Sequence, residues 1–335
     1  MGKTREDKDK DALKLEFYSE YDQNGGDATA AAVKLGINDR TGRRWAVNRL
    51  VQKEIESSKN PSKVRQQLRT GKIAKQFNFK KSISMLCIPD VQVKPGQDFS
   101  FLSDIGKQII EKKPEVIVCI GDFADMPSLS TWDQGKKSFE GRSYKNDIKA
   151  VHDAMTLLLA PMNKYNDECL KNGQKPYKPV MIMTMGNHEN RINRYVEDHR
   201  EFEGLLTTDD LQYKEFGWEV FNFLEVVTVN GVALSHYFTG GVMGRPVSST
   251  NALLQKKHMS CIQGHIQYDS ISTTYDALGR RLTGIFLGCC YLHDEDYLGP
   301  QGNNYFRGIW MMYSVYDGEF KHKQIDLDYL KNKFK

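Results

Sequence analysis

The chain has 335 residues, 39% of them apolar and 27% charged, with a formal net charge of +4, a length that suits one substantial core and a small additional domain. No run of about 18 apolar residues offers a membrane span, and the charged start Met1-Gly2-Lys3-Thr4-Arg5-Glu6-Asp7 is followed by no apolar stretch of the export type. A soluble cytoplasmic protein with no membrane partner is therefore expected, and six cysteines without a C-x-x-C pair exclude a zinc ribbon and fit a reducing compartment.

Residues 1–57 are expected to form three helices. Leu13, Leu15, Phe17 and Tyr18 stripe the first, and residues 28–35 make a short second. Gly36-Ile37-Asn38 is a turn, and residues 39–56 make a long third helix with Trp45, Leu50 and Ile55 inward. Ala30, Ala31 and Ala32 let two of these helices approach closely. The segment resembles the helix-turn-helix modules of transposases and terminase small subunits, in which an A-x-x-L-G-I stretch precedes an Arg-rich helix with a central Trp. That resemblance implies that Arg40, Thr41, Arg43, Arg44 and Asn48 face the major groove of DNA or its phosphates. A helical bundle used for protein contacts is the alternative.

Residues 58–81 are expected to be a basic linker, with Pro61 ending the helix and Gly71 interrupting the rest. Between Asp39 and Lys81 stand thirteen Lys or Arg against three acids, a surplus of ten that leaves the remainder at −6. Clustered cations on an otherwise acidic protein suit a polyanionic partner, because they gain from counterion release along a phosphate backbone. A solvated linker would show the same composition.

From residue 82 to 335 strand-like and helix-like runs alternate. Residues 83–89, 116–120 and 180–185 are continuous apolar strands, as a sheet covered on both faces requires. Helices are expected over 99–112 and 147–165; in the second, Ile148, Val151, Met155, Leu158, Leu159 and Met162 recur at helical spacing as core. Later strands look antiparallel, with Asn230-Gly231 and Asp317-Gly318 as hairpin turns. The expected fold is α/β, a two-sheet sandwich with helices outside, plus the small all-α N-terminal domain.

Five segments in this region carry oxygen and nitrogen donors: Asp90-Val91-Gln92, Gly121-Asp122-Phe123-Ala124-Asp125, Gly186-Asn187-His188-Glu189, His236, and Gly264-His265-Ile266-Gln267. A two-metal centre needs one carboxylate to bridge the ions and further ligands set at strand ends, with positions left open for water and substrate. All but one of these segments directly follow an apolar β-rich run, and His236 ends another. In this order they resemble the calcineurin-like metallophosphoesterase superfamily, whose pattern reads D-x-H, G-D-x-x-D, G-N-H-D/E, H, G-H-x-H. Gln92 and Gln267 stand where the family usually has histidine. The wider wording around Gly121 and Gly186 looks like a phage-borne branch often labelled a DNA exonuclease, which would place the protein in a host cytoplasm.

The resemblance implies two divalent ions, Mn²⁺ foremost, with Mg²⁺ or another divalent ion in its place as the alternative. Asp122 bridges them. Asp90, Gln92 and Gln267 complete the first site; Asn187, His236 and His265 complete the second. His188 assists the leaving oxygen, and Asp125 orients its ring. With two amides replacing imidazoles, the first site becomes all-oxygen, which favours hard cations. An active enzyme and a weakened site retained for scaffolding both fit that change; Asp125 and His188 favour the enzyme.

Trp132, Lys136, Lys137, Phe139, Arg142 and Tyr144, in the long segment before Gly186, interleave rings and cations that suit a stacked base and its phosphate. A solvated loop is the competing account. Arg191 and Arg194 could clamp phosphate oxygens or form helix-surface ion pairs. His293-Asp294-Glu295-Asp296 is expected to be an exposed loop. The function expected is that of a metal-dependent phosphodiesterase, a DNA nuclease in which a hydroxide activated by both ions attacks phosphorus. A phosphatase or small-nucleotide phosphodiesterase, and a non-catalytic DNA-binding scaffold, are the alternatives, and a homodimer is left open.

Overall fold

A computed structural model describes residues 5–24, 27–38, 41–42, 45–46, 49, 73–131, 133, 135–241, 243–294 and 305–335. The chain divides into two compact units, Met1–Lys72 and Ile73–Lys335.

In the first unit, helix α1 spans Arg5–Gln23 and α2 spans Ala28–Lys34. Asp27 caps α2 by accepting the Thr29 and Ala30 N–H groups, each at 2.9 Å, which satisfies donors the helix cannot pair internally. The buried face of α1 is Phe17, Tyr18 and Tyr21, while Leu13 and Leu15 are exposed. The expected stripe is thus corrected: spacings of one, three and four place Phe17, Tyr18 and Tyr21 together, whereas Leu15 lies two residues away, across the helix. Trp45 is inward as expected, edge-on to Phe17 at 5.7 Å, and Gly36 closes the turn at φ +62°. Leu50, Ile55 and the first part of the expected linker, residues 58–72, lie outside the described residues.

The second unit contains, among the described residues, two six-stranded sheets. Strands β1 (Ile73–Phe77), β6 (Val226–Val229), β7 (Val232–Ser235), β8 (Cys261–Gln263), β10 (Arg281–Leu287) and β9 (Asp269–Tyr275) form one, in that order. The other runs β12 (Glu319–Asp326), β11 (Gly308–Tyr316), β2 (Ile83–Ile88), β3 (Val116–Cys119), β4 (Val180–Thr184) and β5 (Glu219–Phe221). Alternation along β2 shows why its run is continuously apolar. Met85 and Cys87 enter the core between the sheets with Val118, Ile182, Leu234 and Ile262, while Leu86 and Ile88 face outward. There they meet α3 (Phe101–Lys112) and α4 (Tyr144–Lys171) through Ile105, Ile109, Val151 and Leu158.

Several expectations are corrected here. Residues 73–77, expected in the linker, form β1, parallel to β6; the pairing joins segments some 150 residues apart, so nothing local announces it. Helix α4 runs through Pro161 and continues past 165 to Lys171, and ends where Gly173 takes φ +65°. The later strands are mixed, because β8 lies parallel to both β7 and β10. Both hairpin turns form as expected, with positive φ at Asn230, Gly231, Asp317 and Gly318. All six cysteines are buried thiols, and no described helix is long and apolar enough to cross a membrane.

Candidate metal centre

Parallel pairing of β2, β3 and β4 is in register, so the loops that leave their carboxyl ends emerge side by side. Asp90 follows β2, Asp122 follows β3 and Asn187 follows β4; His236 and His265 follow β7 and β8 of the other sheet. The Asp122 carbonyl accepts the N–H groups of Val91 (3.0 Å) and Gln92 (2.8 Å), which locks the first two loops together. Gln92, Asp122 and His265 all have positive φ, at 50°, 48° and 63°. Such backbone costs an L residue about 1–2 kcal/mol each and persists only where surrounding contacts impose it.

Acceptors and rings converge on Asp122. Its Oδ1 accepts the His188 backbone N–H at 2.8 Å; its Oδ2 lies 3.3 Å from His236 Nε2 and 3.7 Å from His188 Nε2. His236 Nδ1 donates to the Ile120 carbonyl at 3.0 Å, so its Nε2 points at Asn187 Oδ1 (3.0 Å) and Asp122. Donor atoms of Asp122, His236 and His265 lie within 4.8 Å of one another and could hold an ion. Asp90 accepts the His265 N–H on Oδ1 at 3.1 Å, while its buried Oδ2 has no protein partner. The motif glycines leave room for these carboxylates. A Cβ on Gly186 would lie 2.0 Å from Asp122 Oδ1, and one on Gly264 would lie 2.5 Å from Asp90 Oδ1.

The electrostatics fit divalent cations. Burial, with the Asp122 charge adding to it, pushes Asp90 up to about 7. Burial opposes charge on His236, yet Asp122, Asp90 and Glu189 outweigh it and raise the ring to about 9. In each case a proton balances charge that an ion would otherwise balance. Burial and the neighbouring His236 push His265 down to about 4, which keeps its imidazole in the neutral, ligating form.

His188 Nδ1 meets Asp125 Oδ1 at 2.8 Å. Asp125 is also reached by Arg191 Nη1 at 3.1 Å and Lys94 Nζ at 3.5 Å. Despite burial, His188, Arg191 and Lys94 hold its carboxyl well below the usual range. Beside this group opens a cavity of about 1180 Å³, lined in part by Gln92, Lys94, Asp125, His188, Arg191 and Gln267. Arg191 already donates to the Asp125 carbonyl at 2.6 Å. Arg194 is exposed on α5 (Asn190–Asp198) and is not among the lining residues.

Lys136 and Arg142 line the cavity and both pair with Asp133, each at 2.8 Å; Trp132 lies outside the described residues. Asp294 lines it too and pairs with Arg307, whereas Glu295 and Asp296 lie outside the described residues. Of the expected DNA contacts, Thr41 is half-buried and helical; Arg40, Arg43, Arg44 and Asn48 lie outside the described residues.

Two residues had no role in the sequence reading. Lys94 is one. Glu189 is the other, fully buried, with Oε2 accepting the Asp122 and Gly186 N–H groups at 2.9 Å each. Its Oε1 accepts the Ala124 N–H at 2.9 Å and the Tyr213 hydroxyl at 3.2 Å. Its signals in the sequence are its place at the end of Gly186-Asn187-His188-Glu189 and an acid at the mouth of a helix.

No curated protein matches the chain. The family model for calcineurin-like phosphoesterases matches residues 83–285, more than half of the chain and the stretch that holds every donor described above. The chain belongs to the calcineurin-like phosphoesterase family and is a metallophosphoesterase.

Proposed function

We propose that this protein is a metal-dependent phosphodiesterase that cleaves DNA, in which Asp122 would be the carboxylate shared by two ions. Asp90, Gln92 and Gln267 would hold one ion, and Asn187, His236 and His265 would hold the other. What such ions supply when bound is Lewis-acid polarisation of the phosphoryl group and a nucleophile at neutral pH. The observation that carries the reading is the intact His188–Asp125 pair at 2.8 Å on the wall of a 1180 Å³ cavity. Asp125 can only accept, so Nδ1 keeps its proton and Nε2 is the atom that delivers one to the leaving oxygen. A scaffold would need neither the acid nor its orienter. Arg191 braces both and keeps Nη2 3.3 Å from His188 Nε2, within reach of a phosphate oxygen.

Activity on bis(p-nitrophenyl) phosphate against the monoester, with and without Mn²⁺, beside end-labelled single- and double-stranded DNA, tests this. Diester and DNA cleavage are expected; a preference for the monoester would overturn the proposal. The cavity itself favours a second reading. Its cations Lys94, Lys136, Arg142 and Arg191 face Asp125, Asp133, Glu140, Asp147 and Asp294, so among the described residues it offers a polyanion no surplus of positive charge. A small-nucleotide phosphodiesterase would need none.

The basic stretch from Asp39 to Lys81 would then supply the DNA affinity. Deleting residues 1–72, which spares β1, is expected to leave diester hydrolysis unaltered yet weaken duplex binding and flatten its salt dependence. Fluorescence anisotropy across a salt series measures this; an unchanged affinity and slope would make the N-terminal unit an assembly element. A calorimetric titration of metal-free protein with Mn²⁺ is expected to resolve two unequal sites, the tighter lost in His265→Ala, because imidazole binds more strongly than a neutral amide. Two equal affinities would contradict the assignment of Gln92 and Gln267.

A further inference from the structure

Two aromatic rings beside the metal centre serve no part of the core. Phe223 and Tyr237 come from different loops and meet edge-on at 5.4 Å. Tyr237 lies 4.7 Å from the His265 ring and 5.9 Å from that of His236; Phe223 lies 6.2 Å from His236. Both are half-buried, and neither belongs to any of the four apolar clusters of the described residues. Their ring neighbours are each other and the two imidazoles, and the Tyr237 hydroxyl donates to the Gly244 carbonyl at 3.4 Å. A large apolar ring left partly in water, packed on no core, gains little for the fold.

Neither ring lines the large cavity. From that cavity, contacts run from His188 to Asp122 (3.7 Å), from Asp122 to His236 (3.3 Å), and on to Tyr237. The rings therefore border the donor cluster at His236 and His265, whereas His188 borders it at Asp122. A phosphodiester has two arms. With the leaving arm beside His188, an arm directed toward His236 and His265 would meet the half-buried Tyr237 and Phe223.

We propose that Tyr237 and Phe223 form a stacking subsite for a nucleobase on the ester arm that stays on phosphorus. The inference rests on the phosphodiesterase reading and deepens it. A base stacked on an aromatic side chain is held about 5- to 100-fold more tightly than an arm with no π-face, with little preference among bases. The subsite thus selects nucleoside esters over alkyl esters without reading sequence.

The test compares the p-nitrophenyl ester of thymidine 5′-phosphate with methyl p-nitrophenyl phosphate on the Mn²⁺-loaded full chain. The same bond breaks in both, and only the retained arm differs. Wild type is expected to favour the thymidine ester by about tenfold or more in kcat/KM. Tyr237→Ala and Phe223→Ala should each cut that ratio about fivefold or more, whereas Tyr237→Phe should keep it. Using a ratio cancels any loss of bound metal that slows both esters alike. A wild-type ratio near one, or an unchanged ratio in both alanine variants, would overturn the subsite. Should wild type cleave neither ester, the phosphodiesterase reading fails by itself. Calorimetric binding of thymidine 5′-monophosphate against inorganic phosphate then decides: about fivefold tighter binding of the nucleotide, lost in Phe223→Ala, upholds the subsite, and equal binding overturns it.

Discussion

His188→Ala is expected to lower turnover on a dinucleotide by about 10²- to 10⁴-fold while bound Mn²⁺ per chain stays constant. The side chain makes its hydrogen bond to Asp125 at 2.8 Å, whereas the donor set proposed for the ions is Asp90, Gln92, Asp122, Asn187, His236, His265 and Gln267. The His188 backbone N–H, which alanine retains, is what holds Asp122 Oδ1. Loss of an acid should depend on the leaving group. An alkoxide needs a proton as it departs, and p-nitrophenolate does not, so the defect should shrink sharply on bis(p-nitrophenyl) phosphate. Equal losses on both substrates would show that His188 binds phosphate instead. Asp125→Asn should give a smaller defect, about 10- to 100-fold, since the amide oxygen still accepts from Nδ1 but no longer carries charge.

The second large effect concerns stability. Glu189→Ala is expected to destabilise the second unit by about 3 kcal/mol or more, because it strands three backbone N–H groups and a tyrosine hydroxyl, each costing about 1–3 kcal/mol when buried unpaired. Those donors belong to Asp122, Gly186, Ala124 and Tyr213, so the Asp122 and Gly186 loops lose the carboxylate that joins them. A lowered urea midpoint should therefore be accompanied by weaker Mn²⁺ binding. Glu189→Gln should recover only part of the loss, since its NH₂ would oppose donors that need an acceptor. An unchanged midpoint in the alanine variant would mean that water replaces the carboxylate.

The sequence by itself determined the strand cores, the two hairpin turns and the positions of the donor residues at strand ends, because each is a local property. Continuous apolar runs at β2, β3 and β4 state burial on both faces, and Asn-Gly and Asp-Gly state positive φ. Neighbours in space decide the rest. Leu15 looks as apolar as Phe17, but it points across the helix from the face on which Trp45 packs. Strand β1 looks like basic linker until Val226–Val229 pairs with it.

Only the tertiary structure decided how the site works as a unit. Left-handed backbone at Gln92, Asp122 and His265, the four donors on Glu189, the orphaned Asp90 Oδ2 and the rings of Tyr237 and Phe223 all arise between segments distant in the chain. The reason is physical. A turn or a strand is fixed by interactions within a few residues, whereas charge balance at a buried centre depends on every group brought within a few ångströms, and parallel register of separate strands is what brings them there.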